Sequence, residues 1–459
     1  MNNYKKLKVL GKGAFGEVYK VKSLKDGKEY ALKSVKINNT GSLNELDLLR
    51  RLEHPNLLHA VDFWVDKSTE TLKLVLPLAD STLFEFLNNN KNIDTDFKIK
   101  WMYELLSVVH FLHKSGYSHC DLKPENIFLV NNKIMLADFS LAYPLGTDMF
   151  ACGTYVYTSP QANEKYLHNV ASHYPEAAEK MDVIVTDIYM LGIIFICIFG
   201  NVDFPRMQRN MTHEQFIMGL YGMSTVDAEL TKFLNGMRVP IEWQPLIKGM
   251  IAVSQNYRYQ STDMILLYQE FKSRQYHEPI RGRIIRDGCS TPYVCGGGQV
   301  TEDNVKEIFE NMLLYASDNS IKIFVDSIYI FYRVLGHLKF TDKQKAKGYG
   351  YASLYIASLC NLGNVALDSF FNFTPQDMFD KVIEIIELLD GRLMCTTIFD
   401  LALSKDELIE GLKLVTNCNW KKSAEEYHYQ YILNEEDHIR IYRESKYILS
   451  NDITPDEIL

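Results

Sequence analysis

The sequence predicts an α+β chain, strand-rich at its start and helical beyond it, followed by an all-α segment. Three patterns carry that expectation. Residues 6–10, 17–22, 30–35 and 72–76 are short runs of strand type, the third alternating around Lys33. Residues 42–52, Ser-Leu-Asn-Glu-Leu-Asp-Leu-Leu-Arg-Arg-Leu, form an amphipathic helix pattern opened by Glu45. Past residue 302, Val305, Ile308, Phe309, Met312, Leu313 and Ala316 mark one apolar face at a period of 3.6, and Ile321, Phe324, Val325, Ile328, Tyr332 and Leu335 mark a second.

Between the first two strand runs lies Leu10-Gly11-Lys12-Gly13-Ala14-Phe15-Gly16-Glu17-Val18. Glycines at this spacing let a hairpin close over phosphates with its backbone N–H groups, since a Cβ there would hold the chain away from a nucleotide. A lone GxGxxG is a weak signal. A strand follows this one, whereas the dinucleotide-binding fold needs a helix there.

The stretch with the most chemistry is Gly116-Tyr117-Ser118-His119-Cys120-Asp121-Leu122-Lys123-Pro124-Glu125-Asn126, followed by Ala137-Asp138-Phe139-Ser140-Leu141. An Asp with Lys two places on and Asn five places on presents a proton acceptor, a cation and a metal ligand from one loop. Phosphoryl transfer needs all three: Asp121 to accept the proton of an attacking hydroxyl, Lys123 to neutralise charge on the transferred group, Asn126 and Asp138 to hold magnesium. The two clusters are separated by Ile127-Phe128-Leu129-Val130 and Lys133-Ile134-Met135-Leu136 flanking Asn131-Asn132, a hairpin pattern.

Over roughly its first 275 residues the chain resembles the eukaryotic protein kinases, and Asp121-Leu122-Lys123-Pro124-Glu125-Asn126 is the serine/threonine form of their catalytic loop. The resemblance implies a bilobal fold, with a β-rich lobe at 1–78 and a helical lobe at 79–276, that uses ATP and Mg2+ on a protein substrate. It implies that Lys33 grips the α- and β-phosphates, that Ala31 roofs the adenine, and that Glu45, nine residues before His54-Pro55-Asn56, partners Lys33 in preference to Asp47. Leu10, Gly11, Gly13, Gly16 and Val18 then cover the nucleotide. Leu76 stands at the gatekeeper position before a hinge at Pro77-Leu78-Ala79, and Leu78 and Ala79 meet the base. Either Asp80 or Thr82 meets the ribose. Leu49 stacks with Phe139 and His119, Thr154 touches Asp121 and Lys123, and Leu141 points weakly to serine acceptors.

Three places depart from the family pattern. His-Arg-Asp is His119-Cys120-Asp121, Asp-Phe-Gly is Asp138-Phe139-Ser140, and Ala-Pro-Glu is Ser159-Pro160-Gln161, so Gln161 meets Arg258 through a neutral amide and a softer anchor is expected. None of these changes removes a catalytic group. Residues 139–160 contain no Lys or Arg, and Asn44 precedes Glu45. A phosphate on this segment would find none of the cations that clamp it in phosphorylation-switched relatives, so control by phosphorylation there is not expected.

Residues 183–199 are apolar enough to suggest a membrane span, but Asp187 lies inside the run, and an acid at the bilayer centre costs about 2.5–3.5 kcal/mol. The resemblance makes this stretch a buried central helix whose Asp187 bonds the catalytic loop. Residues 277–301, with Arg281-Gly282-Arg283 and Gly296-Gly297-Gly298, read as a linker.

The segment 302–459 is expected to be helical throughout. Residues 347–360 carry the small residues of a central helix, Thr374-Pro375-Gln376-Asp377 is a helix start leading into 378–389, and Thr396 begins a fifth helix. The spacing, through 318–335, 351–358 and 373–393, resembles a cyclin box. Ser42-Leu43-Asn44-Glu45 resembles the end of the PSTAIRE helix of cyclin-dependent kinases. The two together imply an intramolecular cyclin-like activator on a linker of ~25 residues, whose reach of about 25–30 Å gives an effective concentration of order millimolar. A generic helical bundle is the alternative for this segment.

Composition bounds the rest. A chain of 459 residues with 47% hydrophobic content fills two or three cores. The net charge of −9 without a long basic run lacks the footprint of a nucleic-acid binder. Cys120, Cys152, Cys197, Cys289, Cys295, Cys360, Cys395 and Cys418 make no CxxC pair, as expected of free thiols in an intracellular compartment, cytoplasmic or nuclear. The opening residues carry no apolar signal-type segment, and no membrane partner is expected. A second functional class remains: a pseudokinase scaffold, with Cys120, Ser140 and Gln161 as marks of decay and the helical segment recruiting partners.

Overall fold

The computed structural model describes residues 3–13, 16–38, 41–90, 92–145, 153–154, 156–162, 182–201, 218–219, 221–224, 226–274, 276, 279–285, 302–315, 321–338, 340, 342–361 and 373–394. The chain forms two compact units. One comprises Met1–Leu52, His59–Pro77 and Ile284–Leu459, the other Glu53–Leu58 and Leu78–Arg283.

The first unit is built on a five-stranded antiparallel sheet. Its order is β1 (Tyr4–Gly13), β2 (Gly16–Ser23), β3 (Glu29–Lys36), then strand Thr71–Pro77 and edge strand Asp62–Asp66. Alternation along β3 sorts its residues by face. Leu32 packs with Val21 and Val75 beneath Tyr4, Tyr19, Tyr30 and Trp64, which leaves Ala31, Lys33 and Val35 on the opposite face. Lys33 lies opposite Val18 on β2 and Leu74 on the next strand, and Ala31 lies opposite Lys20 and Leu76.

Helix α1 (Ser42–Arg51) follows β3. Gly41 precedes it at φ 86°, a conformation glycine adopts without a Cβ penalty, and its carbonyl accepts the Glu45 N–H at 2.8 Å. The sequence predicts an amphipathic helix here, but the structure buries every residue of α1 except Arg50, including Asn44, Glu45 and Asp47. Helix Lys343–Cys360 packs on it and Lys33 of β3 pairs with Glu45, so a pattern that reads as a solvated polar face is paired and buried.

Helix Lys343–Cys360 is the centre of the C-terminal segment and packs against Glu302–Tyr315, Ile321–His337 and Pro375–Leu388. It begins four residues earlier than its apolar pattern suggests, because Asp342 caps it by accepting the N–H groups of Gln344 and Lys345 at 3.2 and 2.9 Å. Its small residues allow the close approach expected of a central helix. A Cβ on Gly350 would stand 2.6 Å from Ile308 Cγ2, and one on Gly348 would stand 2.8 Å from Phe373 Cε1. Thr374 caps the last described helix, its hydroxyl accepting the Asp377 N–H at 3.1 Å with Pro375 in the first turn. The helix expected from Thr396 lies outside the described residues.

The second unit is mainly helical. Helix α2 (Leu83–Asn89) starts with a reciprocal capping box between Thr82 and Glu85. Helix α3 (Thr95–Lys114) packs against helix Val183–Gly200. Val183–Gly200 is long and apolar enough to cross a membrane, yet all residues from 185 to 199 are buried inside this unit, Asp187 among them. Asn131 and Asn132 turn the hairpin Ile127–Val130/Lys133–Leu136 at φ 51° and 61°, left-handed values that asparagine tolerates well. Part of the expected linker is tied down. Ile280 accepts a hydrogen bond from His54 Nε2 at 2.8 Å, Arg283 pairs with Glu53, and a Cβ on Gly282 would stand 2.7 Å from the Glu53 carbonyl.

Candidate active site

The residues singled out by sequence fall into two groups, one in each unit. In the first unit, β1 and β2 form a hairpin that pairs Gly13 with Gly16 and Gly11 with Val18. Gly16 needs to be glycine: its φ is 124°, and a Cβ would sit 2.0 Å from the Ser34 carbonyl oxygen. Around Gly11 the space is open, with nothing within 4 Å of where a Cβ would stand, and Leu10 beside it is exposed. A bare backbone with free space over it suits close approach by a phosphate.

Lys33 Nζ reaches both carboxylate oxygens of Glu45, at 2.6 and 2.7 Å. The expected pair therefore forms, and Asp47 is not its competitor. Residues 45 and 47 leave a helix in different directions, and Asp47 receives Arg51 instead, with Nη2 2.7 Å from Oδ2. The Glu45 side chain is 2% exposed and that of Lys33 11%. A buried pair of this kind holds geometry more than it stabilises.

In the second unit the loop after Tyr117–Ser118 gathers Asp121, Lys123, Asn126 and Thr154. Lys123 Nζ donates to Asp121 Oδ2 at 2.6 Å and to Thr154 Oγ1 at 2.7 Å. Thr154 donates to Asp121 Oδ1 from its backbone N–H at 2.9 Å and from its hydroxyl at 2.8 Å. Asn126 Nδ2 donates to the Asp121 carbonyl and to Oδ2 at 2.9 and 3.0 Å. The carboxylate is thus oriented from both oxygens, while Asn126 spends its NH2 and keeps its carbonyl oxygen for another role.

Asp187 holds this loop from below, as the resemblance implied. It accepts the N–H groups of His119 and Cys120 at 2.7 and 2.9 Å. Two further donors carry no signal in the sequence: Ser118 Oγ at 2.6 Å and His113 Nε2 at 2.9 Å. Burial pushes the Asp187 carboxyl up, but the bonds from His113 and Ser118 and the nearby His119 outweigh it and hold the group below the usual carboxylate range. Cys120 is fully buried at φ 62°, and the carboxylate's hold on its N–H fixes that left-handed turn.

Asp138 also has a left-handed backbone, at φ 62°, and Ser140 Oγ donates to its Oδ1 at 3.0 Å. Phe139 is buried, its ring centroid 5.2 Å from that of His119. His119 Nε2 donates to the Ala137 carbonyl at 3.1 Å, which ties the loop to the Asp138 segment. Gln161 uses both ends of its amide: Oε1 accepts from Arg258 Nη2 at 2.7 Å and Nε2 donates to the Val253 carbonyl at 2.8 Å. Leu78 and Ala79 are half-buried, just before Asp80, whose N–H bonds the Leu129 carbonyl at 2.9 Å. Neither candidate for the ribose is idle: Asp80 Oδ2 accepts the Asn131 N–H at 2.8 Å, and Thr82 is the cap of α2. Among the described residues, no group of three or more His, Cys, Asp or Glu is placed to hold a metal. The oxygen donors Asn126 and Asp138 fit a hard cation that keeps waters and phosphates as its other ligands.

Residues 4–268 match the protein kinase domain family. The chain belongs to that family. It is 36% identical over 146 residues to the mouse MAPK/MAK/MRK overlapping kinase, covering 30% of this chain and 35% of the relative. It is 26% identical over 264 residues to the serine/threonine-protein kinase RAD53 of Saccharomyces cerevisiae, covering 54% and 31%. It is 28% identical over 148 residues to cyclin-dependent kinase F-4 of rice, covering 31% and 32%. The matches thus span about a third of the length of each of these relatives.

Proposed function

We propose that the chain is an ATP-dependent serine/threonine protein kinase, with its kinase domain at 1–276, a linker at 277–301 and a regulatory helical domain from 302 onward. One observation carries the reading: the Asp121 carboxylate is oriented by Lys123, Asn126 and both donors of Thr154, in a chain of the protein kinase family.

In this reading Asp121 takes the proton of a serine or threonine hydroxyl as the hydroxyl oxygen bonds to the terminal phosphorus of ATP and the bond from that phosphorus to the β-phosphate oxygen breaks, releasing ADP. Lys123 offsets charge on the transferring group. Lys33, steadied by Glu45, holds the α- and β-phosphates beneath the glycine hairpin, while Leu10, Val18, Ala31, Leu78 and Ala79 enclose the base. Bound magnesium supplies charge neutralisation at the phosphates, and Asn126 and Asp138 are the residues to hold it. The protein works inside the cell, where Cys120, Cys197 and Cys360 stay as buried thiols.

Control rests with the C-terminal helices, read as cyclin-like, and not with phosphorylation of residues 139–160. The absence of Lys and Arg from that segment supports this, as does the packing of helix Lys343–Cys360 on α1. A scaffold without catalysis is the poorer reading, because each group that does chemistry is retained.

The test is transfer of radiolabel from ATP to a general acceptor protein by the intact chain and by Asp121→Asn. Transfer by the intact chain, lost in the variant and unchanged by prior phosphatase treatment, is expected. Equal signals from the two proteins would reject catalysis at this site.

A further inference from the structure

Helix α1 is gripped at a second place. Asp47 Oδ1 accepts the backbone N–H groups of Leu393 and Met394, both at 2.9 Å, while Oδ2 is held by Arg51. On the neighbouring turn of α1, Arg50 Nε donates to the Asp390 carbonyl at 3.2 Å, and its guanidinium pairs with the Asp390 carboxylate. Gly391, at φ 70°, lies flush with the helix, since a Cβ there would stand 3.0 Å from Leu46 Cδ1 and 3.2 Å from Phe63 Cζ. The turn is anchored on its other side by Arg333 of helix Ile321–His337, whose Nη1 donates to the Leu393 carbonyl at 3.0 Å.

We infer that residues 390–394 form a built-in clamp on α1, received by Asp47, which sets the reach of Glu45 to Lys33 from within the chain. The inference rests on the proposed kinase reading only in assigning Lys33 and Glu45 a catalytic use. Asp47 is a positioning residue: it lies two places from Glu45 on a short, fully packed helix, so rotating α1 to release one acid strains the bonds of the other. Two amide donors on an ionised oxygen make charge-assisted bonds, stronger than neutral ones. The clamp requires neither an arginine at position 120 nor a phosphate on residues 139–160, and the chain has no basic residue at either place.

The test uses the full chain. Amide hydrogen exchange is followed by fragment in the wild type, in Asp47→Ala, in Asp390→Arg, and in the swap Arg50→Asp with Asp390→Arg. Exchange in 42–51 and 389–394 should rise at least about tenfold in Asp47→Ala, with helix Val183–Gly200 unchanged, because local opening is measured separately from global unfolding. Asp390→Arg should loosen the same fragments, and the swap should restore part of their protection. The rate of phosphoryl transfer should fall in Asp47→Ala by about tenfold through kcat, without loss of the protein's folded fraction.

Unchanged exchange in 42–51, or a uniform rise in every fragment, would overturn the clamp. So would loosened exchange with transfer kept at the wild-type rate. A wild-type chain that transfers no phosphate would end the kinase reading and the clamp's catalytic role alike, while the exchange data would still decide whether the clamp itself exists.

Discussion

His113 Nε2 stands 2.9 Å from Asp187 Oδ2, and that imidazole is one of four donors converging on a single buried carboxylate. The other three come from Ser118, His119 and Cys120, so Asp187 spans the end of α3 and the start of the loop that carries Asp121. Replacing it with Asn substitutes an NH2 for an oxygen where only donors arrive. Asp187→Asn should lose about 3–5 kcal/mol of stability, the usual result of breaking a buried charge network from one side. Ser118→Ala should lose about 1.5–3 kcal/mol, the worth of one hydrogen bond to a charged group. Urea unfolding of the intact chain reads both, and a Ser118→Ala midpoint equal to wild type would remove that hydroxyl from the network.

Glu45 contributes two oxygens to one ammonium, at 2.6 and 2.7 Å. Glu45→Gln keeps the shape and removes the charge, so Lys33 is left with a weaker hold in a nearly buried position. Phosphoryl transfer should drop at least about tenfold, since the Lys–Glu pair must be in place for this chemistry. Steady-state kinetics against ATP would check it, and Asp47→Asn is not an equivalent control, because Asp47 serves the turn at 390–394.

His54 gives the second unit a pH dependence. Burial pulls its imidazole down to about 4, against a smaller upward pull from the Ile280 carbonyl. On unfolding the ring returns to its ordinary value near 6.5. Between those values the unfolded chain binds a proton that the folded chain does not, so stability is whole above pH 6.5 and is lost as pH falls toward 4. The full effect is about 3–4 kcal/mol. His110, hydrogen-bonded to Thr262 and also drawn down to about 4 by burial despite Asp263 nearby, acts in the same window. His54→Gln should therefore flatten, without abolishing, the slope of unfolding free energy against pH from 6.5 to 5. Parallel slopes for the two proteins would show that His54 titrates normally.

Much of this was legible because local chemistry decides it. Asn131-Asn132 between two apolar runs names a turn that needs positive φ, and both residues adopt it. The Thr374 cap is named by the proline after it, whereas Glu45 comes from the resemblance, which expects an acid nine residues before His54. The rest depends on partners far along the chain. Asp47 reads as a surplus acid on a solvated face until Leu393 and Met394 arrive 346 and 347 residues later. His113 and Ser118 look like ordinary residues at a helix end and a strand end, and only the fold brings Asp187 to them. The burial of α1 on all sides was hidden for the same reason: its polar residues are matched by groups that no local window contains.

The anchor at Gln161 was expected to be softer than the ion pair it replaces, yet the amide makes two bonds of different sign. Its oxygen accepts from Arg258 Nη2 at 2.7 Å, and its nitrogen donates to the Val253 carbonyl at 2.8 Å, a carbonyl that also takes a bond from Arg258 Nη2 at 2.7 Å. Restoring the family's acid by Gln161→Glu would gain charge on the Arg258 side but set a carboxylate oxygen against a carbonyl oxygen on the other. Losing that donor leaves two buried acceptors face to face, at about 1–3 kcal/mol, which is comparable to what a charged hydrogen bond adds. Gln161→Glu should therefore be neutral to about 2 kcal/mol destabilising in urea, and not the stabilisation that an added ion pair suggests. Gln161→Leu, which abandons both bonds while Arg258 keeps those to the Ala252 and Val253 carbonyls, should lose more, about 2–4 kcal/mol. If Gln161→Glu raised the unfolding midpoint, the amide's bond to Val253 would be of no consequence, and the anchor would be a weakened ion pair after all.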